Sequence, residues 1–392
     1  MRGETIPVGF MPLVDAAPLI VAQEMGFAAE EGLTLALRKA PSWSSLRDML
    51  SFGQVDAAHM LSPVPVATAL GLGGAGMPLS VLSVLSVNGN VIGVSAPLAD
   101  ALRAMGHDFA FGDAEAAGQA LIGAAASRLR IGVPFPFSMH AELLYYWLTA
   151  LGLPAPQNVD IRTVPPPLMA DAIRAGEIDA FCVGEPWGSI AVDQGHGALL
   201  LPGKVIWSFA PEKVLAVRSD WAGAEAGLSG RLIRAVWRAS RWLARPESRA
   251  LTAELLARSD YLNIPAEVID RALTGMLTIS PGGVLRSVPD FVEFHKGAAG
   301  FPWRSQGSWI AMQLASRTGL DRSRAKAAGA EVFRSDLYRA ALKETEADLP
   351  GASAKLEGAN AQAQEVASQS GTLILPRDRF FDGRFFDPAE DF

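Results

Sequence analysis

Two segments of this chain echo each other at a fixed distance, and that echo restricts the fold more than any other feature. "FGQVDAAHMLSPVP" is repeated by "AGEIDAFCVGEPW", with Gly53 and Gly176 each ending a helix and Asp56 and Asp179 each inside the following strand. These glycines lie 123 residues apart, and the same 123 residues separate Gly9 in "VGFMP" from Gly132 in "IGVPFP". A single match would say little, because glycine commonly caps helices and borders strands. Two matches at one offset indicate two lobes of similar construction.

Around the first copy, short apolar strands ("IPVGFM", "LTLALRKA", "VDAAHM") alternate with helical stretches ("APLIVAQEMGF", "SLRDMLSFG"). Parallel strands need helical crossovers, so the alternation predicts an α/β fold with a largely parallel sheet in each lobe. The second lobe reads as an insertion in the first. Residues 1–90 and 208–392 form lobe one with C-terminal helices and tail, and residues 91–207 form lobe two. The crossings at "VNGNVIGVS" and "VIWSFAPEKV" would act as a hinge. In open α/β sheets ligands settle beyond the carboxyl ends of the strands, which here is the cleft between the lobes. Beyond residue 220 long helical patterns carry arginines on one face, expected to pack on lobe one and a candidate docking surface for a partner. The aromatic tail "ILPRDRFFDGRFFDPAEDF" is expected to dock as an extended arm.

Composition narrows the function. At 392 residues and 49% hydrophobic, the chain can bury sizeable cores; a net charge of −7 argues against direct nucleic-acid binding. The single cysteine, Cys182, excludes an internal disulfide framework and cysteine-rich metal sites. The N-terminus lacks a secretion-signal pattern and no segment reads as a membrane span, so a cytoplasmic location with no membrane insertion is the expectation.

The candidate chemistry lies where strands hand over to helices. His140 in "PFSMHAELLYYWL" falls at the first strand-to-helix step of lobe two, beside backbone N–H groups that have no partner within the helix. "VGEPW" occupies the place after that lobe's last strand. Gly184 lets a ligand approach the main chain, and Glu185 is expected to turn away onto N-terminal amides. Trp43 in "APSWSSLRDML" begins a lobe-one helix and could offer an indole N–H. Lys213 in "PEKVLAV" faces the cleft on the returning strand, and Asn88 and Asn90 flank a hinge crossing. All are donors, with no acid–base pair among them, and no phosphate loop, HExxH, GxSxG or dinucleotide fingerprint is present. A site that holds a small anion without transforming it is expected: no catalytic residues, no cofactor, no metal.

In this order the motifs "APSWSSLRDML", "NGN", "PFSMHAELLYYWL", "VGEPW", "PEKVLAV", "FPWRSQ" and "FFDGRFFDP" resemble the nitrate- and bicarbonate-binding branch of the ABC-transporter solute-binding proteins. That resemblance implies a two-lobed, periplasmic binding protein-like (type II) fold with the ligand in the interlobe cleft. It implies that Trp43 and His140 contact the anion through side-chain N–H, Gly184 through its backbone amide, and Lys213 as the compensating charge. Asn90 stands where glutamine is usual. The lysine is similar to the nitrate-binding pattern, the bicarbonate binders recruiting a metal instead. The signal-free start resembles the cytoplasmic nitrate/nitrite sensors of assimilation. For those the family implies nitrate or nitrite as ligand and a response-regulator-like, RNA-binding antiterminator as partner. The alternative is the solute-binding protein of a nitrate or other small-anion ABC transporter.

Overall fold

The computed structural model describes residues 3–74 and 76–390. Its strands fall into two main sheets. The first contains β1 (Glu4–Phe10), β2 (Leu33–Lys39), β3 (Ala57–Leu61), β4 (Leu79–Asn88) and, arriving from far along the chain, β10 (Pro211–Arg218). The second contains β5 (Asn90–Ser95), β6 (Arg130–Val133), β7 (Asp160–Thr163), β8 (Ala180–Gly184) and β9 (Gly197–Pro202). Their orders are β4-β10-β3-β1-β2, extended at the β4 edge by Val292–Glu293, and β9-β5-β8-β6-β7. In each, three parallel strands are followed by an antiparallel one: β10 beside β3, and β5 beside β8. The chain therefore passes between the sheets twice, at Gly89 and between β9 and β10.

The repeat extends to individual hydrogen bonds. Asp56 N donates to Pro7 O at 2.9 Å, and 123 residues on Asp179 N donates to Arg130 O at 2.8 Å. Gly53 and Gly176 both adopt positive φ after their helices, as the echo requires. Both aspartates stand one residue before their strands rather than inside them. At Asp179 the side chain is occupied there, accepting from the backbone N–H and guanidinium of Arg130.

The arginine-bearing helix Ala226–Leu243 packs on the first sheet through Leu232, Ile233 and Val236. Its polar face is not a free docking surface. Arg234 pairs with Glu31 at 2.8 Å, Arg238 with Glu31 at 2.9 Å, and Arg231 with Glu4, so these charges tie the helix to lobe one. The tail docks as the sequence suggested. Phe380 is buried and stacks on Trp309 at 5.8 Å, Asp378 accepts from the Trp207 indole at 2.6 Å, and Asp382 accepts from Tyr146 at 2.9 Å. Among the described residues no helix is long and apolar enough to cross a membrane.

Candidate functional site

Two serine caps set the positions of Trp43 and His140. Ser42 Oγ accepts from Ser45 N at 3.1 Å and opens helix Trp43–Ser51; Ser138 Oγ accepts from Ala141 N at 3.2 Å and opens helix Met139–Ala150. Such a cap satisfies one of the free N–H groups of a first turn and fixes where the helix begins. Trp43 is thus the first helical residue in lobe one and His140 the second in lobe two.

Both side chains converge with Lys213, and all three are fully buried. The Lys213 ammonium lies 5.6 Å from the centre of the Trp43 ring. It sits 2.8 Å from Asp15 Oδ2 and 3.0 Å from Glu212 Oε1. That same Glu212 oxygen is 3.1 Å from His140 Nδ1. On the other side, Asp15 Oδ1 is 3.0 Å from His59 Nε2, and the His59 ring packs against Trp43 at 5.5 Å. Lobe one therefore supplies Asp15, Trp43, His59, Glu212 and Lys213; lobe two supplies His140, Gly184 and Asn90, which opens β5 of the second sheet rather than closing lobe one as the sequence boundary at residue 90 had it.

Consecutive residues of a regular strand point to opposite faces. Glu212 and Lys213 meet nonetheless because the register of β10 against β4 is irregular between Pro211 and Lys213 and again between Lys213 and Val214. Gly184 lets the wall approach closely: a Cβ there would lie 2.7 Å from Leu13 Cδ2, whose side chain would have to shift, with Asp15 Oδ2 and His140 Nε2 next nearest. Glu185 donates its backbone N–H to Gly89, so in the antiparallel ladder the Gly184 amide faces away from β5, past the end of β6. As expected, Glu185 turns its carboxylate onto a helix amide, accepting from Ser189 N at 3.2 Å. The lobes are tied close by, Val14 N donating to Glu185 O and the Trp187 indole to Pro12 O.

The sequence placed Trp43, Asn90, His140, Gly184 and Lys213 here, and the structure brings the first four around the Lys213 ammonium and its two carboxylates. It corrects one expectation. The donors are accompanied by acids, Asp15 and Glu212, which sequence reasoning missed together with His59. Asn90 gives its amide nitrogen to Glu212 Oε2 at 2.5 Å rather than leaving it open. Burial would raise the Asp15 carboxyl, but the Lys213 ammonium and His59 outweigh it and hold the group well below the usual carboxylate range. Burial pushes Glu212 up despite Lys213. Burial lowers His59 against the pull of Asp15, and burial with the Lys213 charge lowers His140 well below the usual imidazole range, both favouring the neutral ring. Lys213 stays charged because its two carboxylates overcome the burial penalty. Trp43 Nε1 from lobe one and both His140 nitrogens from lobe two are buried without a hydrogen-bond partner, which is costly unless a ligand completes them. Among the described residues no three His, Cys, Asp or Glu side chains are grouped to hold a metal ion.

Two α/β lobes that close onto one buried ammonium and unpartnered indole and imidazole nitrogens define a solute-binding protein of the periplasmic-binding type. The chain belongs to the NMT1-like family, which matches residues 2–257. Its resemblance to the nitrate- and bicarbonate-binding branch spans almost its whole length. It is 30% identical over 391 residues to the nitrate/nitrite binding protein NrtA of a Nostoc species, covering 98% of this chain and 83% of the relative. It is 33% identical over 312 residues to the nitrate import ATP-binding protein NrtC of a Synechocystis species, covering 79% of this chain but 45% of that longer relative. The crystal structure of the periplasmic nitrate-binding protein NrtA from Synechocystis matches with a TM-score of 0.85 at 27% identity, over 99% of this chain and 96% of that one.

Proposed function

We propose that this chain is the solute-binding component for a small nitrogen oxyanion, nitrate or nitrite, which it delivers to an ABC transporter. One observation carries the reading: buried nitrogens without a hydrogen-bond partner from both lobes, the Trp43 indole N–H and the His140 imidazole, stand beside the buried Lys213 ammonium. Each charge-assisted hydrogen bond contributes roughly 1.5–3 kcal/mol net, so three or four of them leave micromolar affinity for a weakly hydrated anion within reach. The role is binding without turnover, which fits a relative named as a nitrate/nitrite binding protein and another named for nitrate import.

Calorimetry with nitrate, nitrite, bicarbonate and an alkanesulfonate tests this. Heat with nitrate or nitrite, lost in Lys213→Ala, supports it; an alkanesulfonate that binds while both nitrogen oxyanions stay silent removes it. The names of the relatives favour transport over the sensor reading with its antiterminator partner and cytoplasmic location. Cell fractionation and co-purification decide between them: retention by a permease and ATPase supports transport, and an RNA-binding protein released by nitrate supports the sensor.

A further inference from the structure

We propose that the site takes up its anion together with one proton, which is held between His140 and Glu212. The inference rests on the anion-binding reading above and concerns what must accompany the anion.

The first argument is charge. Asp15 and Lys213, 2.8 Å apart, cancel each other. Glu212 remains, 3.0 Å from the same ammonium. An anion added beside an ionised Glu212 would place three negative charges around one cation in a site closed to water, where charges need full pairing. The surrounding elements offer nothing else to offset it. The segment before the first helix presents Asp15, β3 presents His59, and β5 presents the uncharged Asn90. β8 presents Cys182, whose thiol burial keeps protonated. Glu185, after β8, is turned onto Ser189, and Glu142, on the helix of His140, is paired with Arg317. Among the described residues, Lys213 is the one ammonium or guanidinium within ion-pair distance of Asp15 or Glu212.

The second argument is the direction of the His140 hydrogen. A neutral imidazole carries its proton on one nitrogen and a lone pair on the other. Nδ1 lies 3.1 Å from Glu212 Oε1 without the geometry of a hydrogen bond, so the charge of the carboxylate is what acts on it, and Nε2 has no protein partner either. With Glu212 ionised, the hydrogen belongs on Nδ1, and Nε2 would turn a lone pair toward the anion. With one proton added, on the carboxyl or on the ring, Nε2 becomes an N–H donor. The proton thus removes the surplus charge and creates the donor in one step. Burial, which raises Glu212 and lowers His140, places that proton nearer the carboxyl.

The test is nitrate titration between pH 5.5 and 9.5, repeated in two buffers of different ionisation enthalpy. Binding should take up one proton per nitrate above the pH at which the free pair releases its own. Over that range the association constant should fall tenfold per pH unit, levelling off at lower pH. Glu212→Gln, which can donate to Nδ1 and does not titrate, should flatten the profile. Nitrate bound with no proton uptake at any pH overturns the proposal and leaves the anion reading intact, as does a wild-type slope that survives in Glu212→Gln. Absence of nitrate or nitrite binding at every pH removes the anion reading itself. The wild-type titration decides the matter even if the variant does not fold.

Discussion

Two lysines in this protein, Lys213 fully buried and Lys355 with its side chain 11% exposed, each sit between two buried carboxylates, and they are completed differently. Lys355 bonds Glu357 Oε2 at 2.5 Å and Asp378 Oδ2; Ser305 donates to the other Glu357 oxygen at 2.6 Å and the Trp207 indole to the other Asp378 oxygen at 2.6 Å. All four carboxylate oxygens there accept a hydrogen bond from the protein, and the cluster fastens the tail to the body. Around Lys213 the charges are as near, yet Trp43 Nε1, both His140 nitrogens and Asn90 Oδ1 lack partners. The same ionic stoichiometry serves as a lock where it is complete and as a receptor where donors are left over.

The largest effect should come from breaking the lock. Lys355→Met leaves two carboxylates buried without their cation, and denaturant unfolding should show a loss of about 3–5 kcal/mol with nitrate affinity unchanged. Lys213→Met should do the reverse, weakening nitrate at least a hundredfold, about 3 kcal/mol, in calorimetry. Its cost to folding should be the smaller of the two, since Asp15 keeps His59 and Glu212 can take a proton. If both variants unfold alike and nitrate still binds, the distinction between lock and receptor fails.

The indoles sharpen the comparison. Trp207→Phe and Trp43→Phe remove the same volume, but only the first strips a hydrogen bond from a buried carboxylate. It should therefore be less stable than Trp43→Phe by about 1–3 kcal/mol. Trp43→Phe should weaken nitrate about tenfold, ~1.4 kcal/mol.

The smallest effect is one of pH. Burial pushes the Glu357 carboxyl up to about 7, even against Lys355. A raised folded-state value means that the folded protein holds this proton more tightly than the unfolded chain. The contribution is full below the unfolded value and is lost as pH rises through about 7. Relative to Glu357→Gln, the wild type should lose at least about 1 kcal/mol of stability between pH 5 and 8.

The two-lobed fold was legible because glycine spacing survives as backbone hydrogen bonds: the Pro7–Asp56 and Arg130–Asp179 pairs are the repeat in physical form. The donors of the site were legible because Trp43 and His140 stand at helix starts marked by serine caps. The acids were not. Asp15 in "PLVDAAPL" reads as an ordinary acid before a helix, and His59 in "VDAAHM" as a core residue of a strand. Glu212 should point away from its neighbour Lys213, and only the irregular step in β10 brings the two together. The repeat offered one unused signal: shifting Asp15 by 123 residues lands on Ser138, the cap beside His140, which marks that loop as part of the same wall. The arginines of helix Ala226–Leu243 were misleading because amphipathicity shows a charged face without showing that acids of the same chain already cover it.

That step in β10 matters to anyone who would transplant this receptor. Copying the side chains onto an evenly pleated scaffold would send the acid and its adjacent base to opposite sides, and the graft would carry the correct inventory with no working pocket. A designer should copy the dislocation in the ladder first and choose residue identities second.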